Sequence, residues 1–260
     1  MSNQLDVSFF TDEHGNHYAK YKSLLLSSVF QPIFNRDNKV VGVEALLRMK
    51  DDRGERICPG YFFSDENPAH EEKGYIDLIS RIVHIQNFVA SQKKDIKLFL
   101  NFLPNNFKNF SQSCLHDIHF LETLENLKMC SQQIVLELLE VHCDNIEQLQ
   151  VAAKNMFDQG FNIAIDDFGA QHSNTERVEK INPNVVKIDR LVLEDYMHGK
   201  PEKLLEAMEI AKKYSAQTVI EGIETQEHLD TIRALDIDMY QGYFLAMPAP
   251  LIPYSNAFQN

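Results

Sequence analysis

The chain has 260 residues, a length that suits one domain or two and that α/β barrels often fill alone. Hydrophobic residues make up 44% and charged residues 24%, with only 10 Gly and 9 Pro, which excludes a chain that is mainly disordered, low-complexity or fibrous. Lys plus Arg number 25 against 38 Asp plus Glu, and the resulting net charge of −13 argues against polymeric nucleic acid as a ligand. A small anionic ligand remains compatible with that field if divalent cations hold it.

No apolar run approaches the roughly 18–20 residues that cross a bilayer, and the start Met1-Ser2-Asn3-Gln4-Leu5-Asp6 lacks a basic segment followed by an apolar one. We therefore expect no membrane partner. Cys58, Cys114, Cys130 and Cys143 form neither a C-x-x-C motif nor a disulfide framework, so a reducing cytoplasm is the expected location.

In chain order, residues 1–27 are weakly periodic, with a turn at Gly15-Asn16, and read as a short hairpin or an arm leading into the main domain at 28–260. Short β-branched or apolar runs then recur at 29–34, 40–47, 96–102, 133–138, 162–166, 185–188, 217–220 and 239–244. Amphipathic stretches at 72–91 and 104–129 predict helices. A third helix starts at Asp144-x-x-Glu147 and stops at Gly160, with Leu149, Ala152, Ala153, Met156 and Phe157 on one face. Pro201 opens a fourth, carrying Leu204, Leu205, Met208 and Ala211, and 225–235 forms a fifth with Leu229, Ile232 and Leu235 inward.

Eight strands interleaved with helices predict a (β/α)8 barrel of the TIM type, whose sites lie at the C-terminal strand ends. At those ends stand Glu44 to Arg48, Asn101, Glu137, Asp166-Asp167, Lys187-Asp189, Glu221 and Gln241. One carboxylate at a strand end is usually a cap or a surface group. So many polar positions at successive ends are harder to dismiss, because burying the charges among them without a counter-ion costs several kcal/mol each. Adjacent strand residues point to opposite faces, so Asp166 and Asp167 share a site only if the strand ends there, and Phe168-Gly169 offers such a break. Oxygen ligands without Cys or paired His favour Mg²⁺ or Mn²⁺ over structural zinc. Two such ions about 3.5–4 Å apart are a recurrent means of attacking a phosphodiester.

Seven blocks carry a resemblance to a known family. They are Gln31-Pro32-Ile33 with Gly42-Val43-Glu44-Ala45-Leu46-Leu47-Arg48, then Asn101-Phe102-Leu103-Pro104, Leu136-Glu137-Leu138-Leu139-Glu140, Asp166-Asp167-Phe168-Gly169, Val186-Lys187-Ile188-Asp189-Arg190, Glu221-Gly222-Ile223-Glu224-Thr225 and Gln241-Gly242-Tyr243. In order and spacing, from about residue 29 to 250, they resemble the EAL family of cyclic-di-GMP phosphodiesterases. The resemblance implies a modified TIM barrel with one antiparallel strand. It also implies hydrolysis of cyclic di-GMP, a bacterial second messenger, to linear pGpG with two Mg²⁺ or Mn²⁺ ions, Ca²⁺ being inhibitory.

By the same resemblance Glu44, Asn101, Glu137 and Asp166 bind metal and Asp167 lies close to the second ion. Glu221 matches the carboxylate that supports or deprotonates the attacking water, and Lys187 the lysine beside it. Arg48 adds fixed positive charge, while Gln31, Leu46 and Gln241 match the substrate pocket. Glu140 matches a glutamate that holds the loop after the paired aspartates, and family members often dimerise beside that loop. This chain departs from the family there, with Ala170-Gln171-His172-Ser173-Asn174 replacing the usual Thr-Gly-Tyr-Ser-Ser. Two rival readings are a catalytically silent EAL domain acting as a cyclic-di-GMP receptor or through protein contacts, and a barrel glycosidase with two carboxylates. The first is weakened by the complete ligand set, the second by Lys187, Asn101 and the lack of any Trp.

Overall fold

A computed structural model describes residues 7–64, 66–67, 70–102, 115–138, 146–170 and 174–251. Strands β1 (Val7–Thr11) and β2 (His17–Tyr21) form a hairpin whose turn contains Gly15 at φ 87°. They lead through β3 (Leu24–Asn35), β4 (Val40–Lys50), β5 (Arg56–Ile57), α1 (Pro59–Phe63) and α2 (His70–Ala90) to β6 (Lys97–Phe102) and α3 (Leu115–Asn126). A 3-10 turn, Ser131–Gln133, then precedes β7 (Ile134–Leu138), α4 (Ile146–Asp158), β8 (Asn162–Phe168), α5 (Asn174–Ile181), β9 (Val185–Ile188) and α6 (Arg190–Met197). The last elements are α7 (Glu202–Lys213), β10 (Gln217–Ile220), α8 (Gln226–Arg233) and β11 (Met239–Tyr240).

The sheet order is β3-β11-β10-β9-β8-β7-β6-β4, and β3 also pairs with β4, so eight strands close into a barrel. Strand β3 runs antiparallel to both neighbours, whereas the other pairings of the ring are parallel. This is the TIM-type barrel with one inverted strand.

Side chains alternate across each strand, and that period of two divides the core in two. One face supplies Leu98, Leu100, Ile134, Leu136, Ile163, Ile165, Val186, Ile188 and Ile220 to the cluster packed under the helices. The other supplies Ile33, Phe99, Val135, Ala164, Val185, Val219 and Met239, one from each of seven strands, which can meet only inside the ring. On the eighth strand Gly42 takes the inward place, and a Cβ there would come 2.7 Å from Phe99 Cε2. The phenylalanine ring thus fills the space that a side chain on β4 would claim.

Strands β3 and β4 overrun the expected 29–34 and 40–47, because their outer halves pair with β2 and β5 beyond the barrel. The overhang packs on α2 through a second core of Ala19, Tyr21, Leu26, Leu47, Met49, Phe62, Ile76, Ile79 and Val83. Asn87 of α2 clamps the hairpin: its Oδ1 accepts from the His17 N–H at 2.9 Å and its Nδ2 donates to the His17 carbonyl at 2.8 Å.

Some expectations need correction. The helix expected over 104–129 is described only from Leu115 and stops at Asn126, before Lys128 takes a left-handed φ of 52°. On α7, Leu204, Ala207 and Ala211 face the core while Leu205 is 46% exposed, so it does not belong to the inward stripe. Strand β11 ends at Tyr240 rather than 244, since Gly242 turns the chain away. Helices α1, α5 and α6 had no counterpart among the predicted elements.

Gly42→Ala should lower stability by about 1–3 kcal/mol through overpacking against Phe99. Urea unfolding should show Phe99→Leu recovering part of that loss in the double variant, and simple additivity of the two costs would contradict the contact.

Candidate active site

Two residues above the apolar floor, the strands change chemistry. Phe99 is followed by Asn101, Val135 by Glu137, Ala164 by Asp166, Val185 by Lys187, Val219 by Glu221 and Met239 by Gln241. On β4, Gly42 is followed by Glu44, and on inverted β3 Gln31 stands two residues before Ile33. Cross-strand register places Gln31 opposite Glu44 and Asn101 opposite Glu137. Each barrel strand therefore contributes one polar group at its upper end.

The two aspartates meet by a route the sequence did not suggest. Strand β8 does not end at Asp166. Ile165 pairs with Val186 and Phe168 with Ile188, so β8 holds one extra residue between those pairs, and Asp167 adopts a left-handed φ of 54°. This bulge brings carboxylate oxygens of Asp166, Asp167 and Glu221 within 4.8 Å of one another.

Lys187 occupies the middle of the layer. Its Nζ lies 2.6 Å from Glu137 Oε1, 2.7 Å from Glu221 Oε1, 2.9 Å from Asp166 Oδ1 and 3.7 Å from Glu44 Oε2. Gln241 Nε2 donates to that Glu44 oxygen at 2.7 Å, and Gln31 Nε2 donates to the Ala246 carbonyl at 3.4 Å. Among the described residues, both Glu137 oxygens and Asp166 Oδ1 lack an aligned hydrogen bond, so their lysine contacts are ion pairs.

Burial drives Glu137 well above the usual carboxylate range, with Lys187 opposing and Glu44 and Asp166 adding to it. Glu221 is raised to about 8, first by burial against the pull of Lys187, then by Asp166 and Glu44. Burial alone would lower Lys187, but Asp166, Glu137, Glu221 and Glu44 outweigh it and hold the ammonium well above its ordinary value. The layer carries more negative charge than its one lysine balances. A divalent cation fits this set: the donors are hard oxygens, and Glu137 Oε2 is a buried carboxylate oxygen without a partner among the described residues.

Two cavities border the polar layer, one at Asn101 and one at Glu44 and Glu221. The larger, about 450 Å³, touches Leu46, Arg48, Asn101, Asp77 and His84, and the smaller, about 210 Å³, touches Gln31, Glu44, Glu221, Gln241, Arg190 and Tyr243. Arg48 is exposed, and its Nη1 donates to the Leu47 carbonyl at 3.0 Å. Glu140 and loop residues 171–173 lie outside the described residues. A Cβ on Gly242 would come 2.0 Å from the Ile223 carbonyl oxygen, so only glycine lets the chain pass so close after Gln241.

A sequence model of the EAL domain matches residues 22–248. The chain belongs to the EAL domain family. Of its curated relatives, the probable cyclic di-GMP phosphodiesterase PdeG of Escherichia coli K12 is 28% identical over 271 residues, covering 95% of this chain and 50% of that one. The cyclic di-GMP phosphodiesterase PdeF of the same strain is 25% identical, covering 83% and 29%. The chain thus spans half or less of the length of these two relatives. Among solved EAL structures, Bacillus subtilis YkuI in complex with substrate c-di-GMP and calcium superposes with a TM-score of 0.73 at 26% identity, covering 86% of this chain and 55% of that one. The EAL enzyme Bd1971 reaches a TM-score of 0.76 at 21% identity, covering 88% and 63%, and supports the fold.

In this EAL domain the larger cavity has a wall that the strand-end residues did not reveal. Asp77, Ser80 and His84 of α2 line it, and with Lys73, Asn87 and, just past the helix, Ser91 they form a row of polar yet buried residues spaced alternately four and three apart. That spacing is a buried helical stripe, and its polarity was the available signal. Arg81 joins it, with Nη2 2.9 Å from Asp77 Oδ2 and the guanidinium 4.2 Å from the Phe102 ring centre.

His84 Nδ1 lies 2.7 Å from Ser28 Oγ, and burial, followed by the charges of Arg81 and Arg48, lowers its pKa to about 3. The imidazole is neutral in the folded protein at pH 7. Its depressed value means stability is complete above the unfolded pKa of about 6.5 and declines as pH falls toward 3, by about 1.4 kcal/mol per pH unit in between. Urea unfolding from pH 7 to 4 should show one fewer proton linked to unfolding in His84→Gln, and an unchanged slope would mean that His84 is protonated in the fold.

Proposed function

We propose that this EAL domain hydrolyses cyclic di-GMP to linear pGpG with Mg²⁺ or Mn²⁺. The observation that carries the reading is the acidic layer with its central ammonium, bordered by a cavity at Glu44 and Glu221 and by another at Asn101. A cyclic dinucleotide carries two bases on a ring closed by two phosphodiesters, and a charged layer bordered by two cavities offers room for such a ligand. The relatives PdeG and PdeF, a probable and a named cyclic di-GMP phosphodiesterase, and the c-di-GMP bound to YkuI support the same substrate.

Glu44, Asn101, Glu137 and Asp166 would hold one ion and Asp167 a second. Bound there, the ions would lower the pKa of water and polarise the phosphoryl oxygens. Glu221 is the most exposed of the four carboxylates around Lys187, and its Oε1 is placed to orient the attacking water and accept its proton. Lys187 and Arg48 supply positive charge to phosphate oxygens. Gln31 and Gln241 form one wall of the smaller cavity, where their amides meet a polar ligand edge, and Leu46 gives the larger cavity an apolar surface for a base. Glu140 would hold the loop beyond Asp167. YkuI holds its substrate together with calcium, which agrees with Ca²⁺ as an inhibitor, since Ca²⁺ takes longer bonds and more ligands.

Purified protein should linearise cyclic di-GMP with Mg²⁺ or Mn²⁺, lose turnover in EDTA and be inhibited by Ca²⁺, as read by chromatography of the product. Glu221→Gln should reduce turnover by about 10²–10⁴ with little change in nucleotide affinity, whereas Asp166→Asn should also weaken Mn²⁺ binding in calorimetry. Nucleotide binding by metal-loaded protein without any pGpG would replace the enzyme reading with that of a receptor.

A further inference from the structure

Lys187 stands where the metal reading needs free oxygens. Its ammonium nitrogen has three near carboxylate oxygens, on Glu137, Glu221 and Asp166, while Glu44 lies further off at 3.7 Å. Three of these four carboxylates belong to the set proposed to hold an ion. The ammonium nevertheless fills the site incompletely, because one positive charge faces four carboxylates and Glu137 Oε2 has no partner among the described residues. Two cations in that small, buried space repel each other strongly, so a divalent ion and the ammonium compete for the same oxygens.

The surroundings also give the lysine a way out. Side-chain exposure rises from 0% at Glu137 through 8% at Asp166 and 11% at Glu44 to 20% at Glu221, and Glu221 and Glu44 border the smaller cavity. A flexible four-carbon stem can follow that gradient, keeping Glu221 while releasing the two deeper partners. We propose that Lys187 is an exchangeable internal counter-ion: it holds the carboxylates together before metal arrives, then yields Glu137 and Asp166 to the ion and turns toward Glu221 and the cavity. Residence and release would make the same residue a stabiliser of the metal-free barrel and a phosphate-facing charge in the loaded one.

This inference rests on the metal reading above, and the experiment separates the two. Wild-type protein with ¹⁵N-labelled lysine is titrated with Mg²⁺, a diamagnetic probe, while the side-chain ammonium resonance of Lys187, assigned by its loss in Lys187→Arg, is followed by NMR. The resonance should be protected from solvent exchange in EDTA and should shift or broaden in step with Mg²⁺ occupancy measured by calorimetry. Lys187→Met should melt below wild type in EDTA, the gap should narrow at saturating Mg²⁺, and its Mg²⁺ affinity should equal or exceed that of wild type. A Lys187 resonance that stays unchanged while Mg²⁺ binds, or an affinity tenfold weaker in Lys187→Met, overturns the exchange and leaves the metal site standing. Absence of Mg²⁺ and Mn²⁺ binding in wild type overturns both. If Lys187→Met does not fold, the wild-type titration decides.

Discussion

Closing eight strands into a ring forces their inward residues into one narrow space, and at the upper layer of this ring four carboxylates share a single ammonium. Each carboxylate buried without compensation costs several kcal/mol, a cost that Lys187 among them and the upward shift of Glu137 and Glu221 toward their neutral forms both reduce. The apolar floor beneath plays the complementary part. Ile33, Phe99, Val135, Ala164, Val185, Val219 and Met239 form an apolar layer beneath the polar one, and Phe99, Val135, Val185 and Met239 border a cavity of about 460 Å³ on its far side. Excess negative charge set against an apolar layer attracts cations.

Much of this was legible because the strand has a period of two. Once 96–102 and 133–138 are read as strands, Phe99 and Asn101, or Val135 and Glu137, must share a face, so an apolar residue followed two places later by a polar one marks the barrel mouth. The short helices were harder to read. The only buried apolar side chains among the described residues of α5 are Val178 and Ile181, too few to establish a helical period, and α6 buries only Val192 and Leu193. Their stability comes from packing rather than from a long amphipathic face. The hairpin at the start was one of two open choices, and the contacts that decided it, from Asn87 and the α2 core, are some 70 residues away in the chain.

Local rules failed most usefully at Asp166-Asp167. Alternation predicts opposite faces for neighbours, and a break in the strand was the simplest way to reconcile them. The bulge achieves the same convergence while keeping Phe168 paired with Ile188, so the barrel stays closed as both carboxylates turn inward. A left-handed φ on a non-glycine residue is conformationally costly, which makes Asp167 a place where backbone strain is exchanged for site geometry.

The polar stripe of α2 extends the same logic outward. A helix packed on a barrel normally offers it an apolar face, yet here Asp77, Ser80, Arg81 and His84 are buried on the side that meets the larger cavity. Arg81 finds Asp77 and the rings of Phe102 and Phe120, and His84 pairs with Ser28, so the stripe is largely satisfied within the fold. One residue of each pair touches the cavity, Asp77 in the first and His84 in the second. Their partners hold them in place, and a ligand entering beside Leu46 and Asn101 would therefore meet acceptors and donors already fixed in orientation, avoiding part of the ordering cost that flexible polar groups incur on binding.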